Sequence, residues 1–486
     1  MARVRRTFVL AATLGLALVV ARSAVGGPEP TAPSKEALAS TEVRLLLPLL
    51  RTAVKEDFRR QAWYFATRIL GDEPKNQEAE AVLRAYKGPD LEEGREPTKA
   101  WLSTRDAALK KVGDAYAAFA RDSQAVGAKA IDTFAYAERA IAFGTSAADA
   151  IAAMANAGYA WRGTYGSVEK GLVETALGTF AASVTFPSEF DDTVLRYRCV
   201  WPDARAVEFG KTRLISALSP DDTWHTVALL SAEEACFVRT FGSKAKDPKD
   251  RDEDDHTDLV VAPDASMYSR LGDAFVQQDE RTEYEASSSW YRRKRLLLLA
   301  PIRDNAWTGR DAAILGQAAR PMVRRHLGVG ASSWIRGRGS WFLDGFVGAF
   351  EGFVAKGPDT GDVDPERCWR LAAMREIHER AAFVPWDELF SMDAAKAADV
   401  AKRDVSFSFG GEKRDGKQLS VPTAQATALV LAIWQMDGGK GAKKLAVLCE
   451  DIYKRNGLPD IDKALGVAPG KTVELTEKFL RGSPPK

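Results

Sequence analysis

The stretch Ser340-Trp-Phe-Leu-Asp-Gly-Phe-Val-Gly-Ala-Phe350 gives the clearest indication of the fold. Phenylalanines recur through it and just beyond it at intervals of four, four and three, namely Phe342, Phe346, Phe350 and Phe353. This spacing places them on one face, so it predicts a helix over Ser340–Ala355 that packs into a core. Asp344 falls between these turns, where it would border a cleft, and Gly345 would let another backbone approach closely.

The segments on either side of this helix alternate between strands and helices. Strands are predicted at Asp192–Val200, Leu259–Ala262 and Arg295–Ala300 from alternation or from short apolar runs. Helices are predicted at Asp203–Ala217, Thr223–Phe241, Arg310–Leu327, Asp364–Ala382, Thr423–Trp434 and Lys440–Tyr453. Strands followed by packed helices indicate an α+β fold, mostly helical, with a small sheet. We assign residues 187–486 to this domain.

The preceding region, residues 40–186, has a helical and Ala-rich pattern. Its most informative part is 57–86, where an apolar stripe is followed by Gly71, Asp72 and Pro74 and then by a second stripe. This pair resembles a tetratricopeptide-type hairpin, with a diverged second copy near Tyr136–Met154. A plain helical bundle is the alternative, because solenoids need about three stacked repeats.

The first residues have the three parts of a secretory leader. Arg3, Arg5 and Arg6 are followed by an apolar run, Phe8–Ala21, and then by small residues. The run is short for a bilayer span, so we expect a cleaved signal peptide over 1–26 and a linker over 27–39, with an uncleaved anchor as the alternative. No later segment is long and apolar enough to span a membrane, so we expect a soluble mature protein in the periplasm or outside the cell.

Four cysteines follow in a compartment that permits disulfides, Cys199, Cys236, Cys368 and Cys449. None lies in a CxxC pair, which excludes a zinc ribbon. Buried free thiols are the preferred interpretation. If a bridge forms, Cys199–Cys236 is the first choice because these two lie closest in sequence.

The charge balance argues against nucleic-acid binding. The chain has 68 Lys and Arg against 67 Asp and Glu, a formal net charge of +1, whereas phosphate binding needs a surplus of cations. The charged stretch 244–258 is interpreted as a solvated loop rather than a binding element. Its His256 with acidic neighbours is only a weak metal signal.

Common catalytic motifs are absent from the sequence. The sequence contains no GxSxG and no HExxH. The stretch Gly466–Thr472 reads GVAPGKT, which is one residue short of a phosphate-binding loop and has no strand before it. We therefore interpret it as an ordinary loop.

From about Asp191 to the chain end, the order and spacing of elements resemble the peptidase MA-like branch of the gluzincin metallopeptidases. The most specific piece is Trp341-Phe-Leu-Asp344-Gly345, which is similar to the family's W-x-x-E-G helix. Active members bind zinc through HExxH on the preceding helix and through the Glu of W-x-x-E-G.

The resemblance implies a metal site that has been lost. HExxH falls on Gly316-Gln317-Ala318-Ala319-Arg320, and the third ligand falls on Asp344. Gly316 has no side chain, Gln317 cannot take up a proton, and Arg320 is a permanent cation that cannot ligate metal. Gly316, Gln317, Arg320 and Asp344 are thus vestigial positions, and no catalytic residue, metal or cofactor is assigned.

Two hypotheses concern the surroundings of this place. Arg320 would pair with Asp344 and link the two helices, or alternatively point to solvent. A cleft would be lined by Trp334, Arg336, Arg338, Trp341 and His378.

The sequence thus predicts an exported, non-catalytic binding or scaffolding protein, a pseudoenzyme whose protein partners bind the helical N-terminal region. Two alternatives stay open. One is a zinc metallohydrolase that recruits His378, Glu376, Glu379 or His326 around Asp344, and the other is a purely structural envelope protein.

Overall fold

The fold is taken from a computed structural model, and it is α+β and mostly helical, as the sequence predicts. Contacts divide the chain into two compact units, Met1–Arg162 with Phe186–Ala204 and Gly163–Thr185 with Arg205–Lys486. The structure describes residues 34–86, 91, 93–125, 136, 139–140, 143, 184–185, 192–201, 204–216, 218, 220–242, 257–286, 289–292, 295–299, 309–327, 340–357, 360–392, 402–454 and 459–482. The predicted signal peptide lies outside these residues, as do most of the second hairpin copy and residues 244–256 of the charged stretch. The last two residues of that stretch, Thr257 and Asp258, are buried in a strand, so the prediction of a solvated loop is wrong there.

In its described part, the first unit consists of helices. They are α1 (Lys35–Lys55), α2 (Arg59–Asp72), α3 (Gln77–Ala85), α4 (Lys99–Ala125) and α5 (Asp192–Val200). Helix α2 packs against α1, α3 and α5, and α4 packs against α1. The Ser34 side chain accepts the Ala37 N–H and caps α1 at Lys35. The predicted linker over 27–39 is therefore wrong in its last part, which is helical.

The predicted hairpin is present as α2 and α3. Ala62, Ala66 and Ile69 are fully buried in α2, and Ala79 is buried in α3, which are positions that helical spacing predicts. Asn76 starts α3 by accepting the Ala79 N–H. The resemblance to tetratricopeptide repeats stays a prediction.

A buried polar network crosses the core of this unit. Glu42 of α1 is 1% exposed, and its Oε1 accepts from Arg68 Nη2 of α2 at 2.7 Å. Tyr116 of α4 donates its hydroxyl to the other carboxylate oxygen. Burial raises the pKa of Tyr116, so it stays a donor at neutral pH. The network joins three helices.

The prediction of a strand at Asp192–Val200 is wrong, because this segment is helix α5 of the first unit. Val194, Leu195, Tyr197 and Cys199 are all buried. A short helix with residues buried on several sides lacks the polar face that marks a helix in sequence, so alternation was a misleading signal.

The second unit is built around a six-stranded mixed sheet with the order β1-β2-β3-β4-β6-β5. Its strands are β1 (Val184–Thr185), β2 (Arg205–Phe209), β3 (Thr212–Ser216), β4 (Thr257–Ala262), β5 (Ser289–Arg292) and β6 (Arg295–Leu299). Strands β3, β4 and β6 run parallel, and β1, β2 and β5 run antiparallel to their neighbours. The predicted strands Leu259–Ala262 and Arg295–Ala300 are found as β4 and β6.

The predicted helix over Asp203–Ala217 is wrong, since this segment is the hairpin of β2 and β3. Phe209 pairs with Thr212, which leaves a two-residue turn. Gly210 has φ +54° there, the left-handed conformation that tight hairpin turns require.

The other described residues of the unit form mainly helices, together with two further hairpins. The helices are α6 (Pro220–Phe241), α7 (Ala265–Phe275), α8 (Arg281–Ala286), α9 (Gly309–Leu327), α10 (Ser340–Phe350), α11 (Trp369–Glu379), α12 (Trp386–Ser391), α13 (Val421–Gly439), α14 (Gly441–Lys454), α15 (Ile461–Leu465) and α16 (Lys471–Leu480). Short 3₁₀ turns lie at Gln278–Glu280 and Pro365–Arg367. The hairpins are β7 (Phe353–Gly357) with β8 (Thr360–Val363), and β9 (Lys402–Phe409) with β10 (Glu412–Ser420).

The centre of the unit is the contact between α10 and α13. Phe342, Phe346 and Phe350 are fully buried, as their spacing predicts. A Cβ atom on Gly345 would lie 2.5 Å from the backbone carbonyl of Ala426. The close backbone approach expected at Gly345 is therefore present, and α13 is the partner.

Helix α10 is shorter than predicted. It ends at Phe350, and Phe353 starts β7 instead of continuing the helical face. Gly352 lies between them, and its carbonyl oxygen accepts the Asp364 N–H. A Cβ atom on Gly352 would lie 2.7 Å from the backbone oxygen of Asp364. The chain therefore turns where a side chain cannot fit.

Within the described part of the chain, we find no helix with the length and apolar character needed to cross a bilayer.

Candidate functional site

The candidate site lies where α9 meets α10. Helix α9 carries Gly316, Gln317 and Arg320, and α10 carries Asp344. Helix α9 is held against α6 by two pairs. His225 Nε2 lies 2.8 Å from Asp311 Oδ2, and His326 Nε2 lies 3.0 Å from Glu234 Oε1. The helix bearing the vestigial positions is thus fixed near both of its ends.

Arg320 and Asp344 form an ion pair across the two helices. Arg320 Nη2 donates to Asp344 Oδ1 at 2.6 Å, and Arg320 Nε donates to Gln317 Oε1 at 3.0 Å. The two charged side chains are 25% and 38% exposed. The hypothesis that Arg320 pairs with Asp344 is confirmed, and the alternative that Arg320 points only to solvent is wrong.

Gly316 faces a second, deeper ion pair. A Cβ atom on Gly316 would lie 2.6 Å from Glu351 Cγ. The Glu351 carboxylate accepts two hydrogen bonds from Arg370, at 2.9 and 3.0 Å. Burial raises the pKa of Glu351, and the Arg370 guanidinium opposes that shift. This pair joins the end of α10 to α11.

Electrostatics also shape the contact between α6 and α9. Burial alone would raise the pKa of Glu234, but the hydrogen bond from His326 and the charge of Arg325 outweigh it, so the pKa is lowered. Asp311 follows the same pattern, with burial outweighed by His225 and Arg310. Both carboxyl groups are therefore charged at neutral pH.

The neighbouring Glu233 behaves in the opposite way. It is fully buried, and neither carboxyl oxygen has a hydrogen-bond partner among the described residues. Burial and the charge of Glu234 raise its pKa well above the usual value. A buried carboxyl without partners takes the neutral form.

The predicted cleft is not formed as expected. Trp341 is 1% exposed, and its ring stacks on Phe390 with centroids 5.8 Å apart, so its assignment to a cleft lining is wrong. A large apolar ring gains more from burial in the core than from a wet surface. His378 is half-buried and stacks on Phe383. Trp334, Arg336 and Arg338 lie outside the described residues.

The residues at this junction do not fit a zinc ion. Asp344 is already bonded to a guanidinium, which is a permanent cation and offers no lone pair. Zinc sites need three or four N, S or O donors around one point. Among the residues that the structure describes, no group of three or more His, Cys, Asp or Glu side chains is placed to hold a metal.

Three of the four residues named for an unconventional metal site have other partners. His326 bonds to Glu234, and Glu376 accepts from Arg380 Nε at 3.0 Å. His378 packs on an aromatic ring. These contacts give the metallohydrolase alternative no support.

Sequence reasoning missed Glu351 and Arg370. A signal was present, because Glu351 directly follows an apolar helix, and a carboxylate inside a core requires a cationic partner. The identity of that partner could not be read from the sequence, since Arg370 belongs to a different helix.

The loop Gly466–Thr472 is explained by its local bonds. Asp462 accepts the Gly470 N–H at 2.6 Å and the Thr472 N–H at 2.9 Å. The start of α16, where an anion would bind, thus already holds a carboxylate of the chain itself.

All four cysteines are free and buried. The preferred interpretation is confirmed, and the Cys199–Cys236 bridge does not form. Burial raises the pKa of Cys368 to about 12, which makes its thiol unreactive at neutral pH.

No family model and no curated protein matches this sequence.

Proposed function

We propose that the protein is an exported, non-catalytic binding or scaffolding protein whose second unit resembles a metallopeptidase without its metal. The observation that carries this proposal is the hydrogen-bonded ion pair between Arg320 and Asp344. It lies at the position where the resemblance would put the second His of HExxH and the third zinc ligand.

A magnitude supports the absence of metal chemistry at this place. Two unit charges about 4 Å apart interact by about 4 kcal/mol at an effective dielectric near 20, so a guanidinium would repel a dication by about 8 kcal/mol. In addition, Arg320 removes Asp344 as a free ligand. A general base is missing too, because Gln317 cannot accept a proton from water.

A surface of the first unit supports the binding role. An apolar groove of about 400 Å³ lies between α1 and α3, lined by Leu50, Val54, Ala81, Val82, Ala85 and Tyr86. Val54 is 39% exposed there. Arg51 and Glu78 bridge the two walls at 2.6 Å. Helical surfaces of this kind take apolar side chains of protein partners.

The test is metal analysis and a peptidase assay on the purified full chain. We expect no stoichiometric zinc and no peptide hydrolysis, for wild type and for Asp344→Ala alike. The matched control is Asp387→Ala, which removes an exposed carboxylate from α12. Stoichiometric zinc that is lost, together with hydrolysis, in Asp344→Ala but not in Asp387→Ala would show that the protein is an enzyme.

A further inference from the structure

We infer that Glu351 leaves no room at position 316 of α9 for a metal-ligating side chain. This packing restriction acts in addition to Arg320 and keeps the junction free of metal. The inference deepens the proposed non-catalytic function and rests on it for its meaning. Packing around Gly316, Glu351 and Arg370 carries the inference, independently of the Arg320–Asp344 pair.

The space in front of Gly316 is filled on two sides. A Cβ atom there would lie 2.6 Å from Glu351 Cγ, 3.4 Å from Glu351 Oε1 and 3.2 Å from the Val347 carbonyl oxygen. Carbon atoms pack at about 3.5–4.0 Å, so the contact at 2.6 Å is a clash. The Val347 oxygen belongs to the backbone of α10 and cannot rotate away. Any side chain at 316 therefore has to displace Glu351.

Glu351 is held too firmly to be displaced easily. Its side chain is 6% exposed, and both carboxylate oxygens are bonded to Arg370. Arg370 is itself fixed, because its guanidinium lies 4.3 Å from the centroid of the Trp369 ring. Moving Glu351 would leave a partly buried cation, 20% exposed, without its carboxylate, which is destabilising.

Histidine at 316 is therefore excluded by packing and not only absent from the sequence. The first ligand of a zinc-binding HExxH could be added at this position only if the Glu351–Arg370 pair were removed as well. Replacing the three vestigial positions on α9 alone should consequently fail to create a zinc site.

The decisive experiment compares Gly316→Ala in three backgrounds by thermal unfolding of the full chain. Alanine normally stabilises a helix relative to glycine. We expect Gly316→Ala to lower the unfolding midpoint in the wild-type background and in Glu351→Gln, which keeps Cγ. In the background Glu351→Ala with Arg370→Leu, which removes Cγ and the orphaned cation together, we expect the substitution to lower the midpoint much less, because only the 3.2 Å contact with the Val347 oxygen remains. An equal change in all three backgrounds would overturn the inference.

A second measurement keeps the inference testable if the opened background does not fold. The variant that combines Gly316→His, Gln317→Glu and Arg320→His is titrated with zinc alone by calorimetry, with Glu351 in place. We expect no stoichiometric binding, and one bound zinc per chain would overturn the inference. Zinc in the wild-type protein would instead contradict the proposed function, and it would leave the comparison of the alanine variants unchanged.

Discussion

The guanidinium of Arg320 lies 2.6 Å from the carboxylate of Asp344 and joins α9 to α10. Both side chains keep part of their surface in water, at 25% and 38%. Water screens such a pair, so its contribution to stability is modest even though its geometry is good. The pair therefore fixes the local arrangement of the junction more than it stabilises the unit.

The first prediction concerns the strength of this pair. Arg320→Ala and Asp344→Ala should each lower the free energy of unfolding by about 1 kcal/mol, and the double variant should lose less than the sum of the two. The coupling energy should lie between about 0.3 and 1 kcal/mol. Urea unfolding of the four proteins measures it. A coupling of zero would mean that the two charges do not interact in solution.

The second prediction concerns the cysteines. Because all four are buried and free, a thiol reagent should label none rapidly in the native protein. After unfolding without reductant, it should label about four per chain. The assay is run on protein purified from the periplasm or the medium, where the proposed export would place it. Labelling of only two after unfolding would reveal a disulfide.

Sequence patterns predicted the elements whose signal is local and repetitive. The phenylalanine spacing located α10, and the apolar stripe at Ala62, Ala66 and Ile69 located α2. These signals depend on one buried face against one exposed face, which fixes the period. The pairing of Arg320 with Asp344 was predicted from the family resemblance, which puts both residues at the place of the lost metal, and the structure contains this pair.

The wrong or missing predictions have three physical causes. These are burial on more than one side of an element, a turn that depends on backbone conformation, and a bond between distant segments. Helix α5 was mistaken for a strand because most of its residues are buried. The β2–β3 hairpin was mistaken for a helix because its turn depends on the positive φ of Gly210. Glu351 and Arg370 were missed because their bond joins distant segments, and nothing in either segment identifies the other.

The third prediction tests the apolar groove of the first unit. Val54→Lys places a charge where an apolar partner side chain would bind, so it should weaken partner capture by at least tenfold. Val447→Lys on α14 is the matched control, because Val447 is also exposed, at 55%, and lies in the other unit. Partners are captured on the full chain from the envelope fraction and quantified by mass spectrometry. Equal loss in both variants, or none in either, would contradict a binding role for the groove.

The last prediction separates two adjacent acids on α6. Glu234→Gln should lower the free energy of unfolding at pH 7 by about 3 kcal/mol, because it leaves Arg325 and His326 without a carboxylate in a buried setting. Glu233→Gln should instead raise it, because the amide is neutral in both the folded and the unfolded chain. The same Glu-to-Gln substitution at these two neighbouring positions is thus expected to change the free energy of unfolding in opposite directions.

The pH dependence of unfolding gives each of these acids its own signature. Glu234 has a lowered pKa in the folded protein, so its stabilisation is present at neutral pH and is lost as the pH falls below about 4.

Glu233 has a raised pKa in the folded protein, so as the pH rises its carboxyl group ionises first in the unfolded chain. Stability then decreases as the pH rises above about 4.3, the ordinary pKa of a Glu side chain. The increase in the free energy of unfolding caused by Glu233→Gln should therefore be large at pH 7 and vanish near pH 4. Urea unfolding at several pH values measures both trends. A gain that does not change with pH would mean that Glu233 is not protonated in the folded protein.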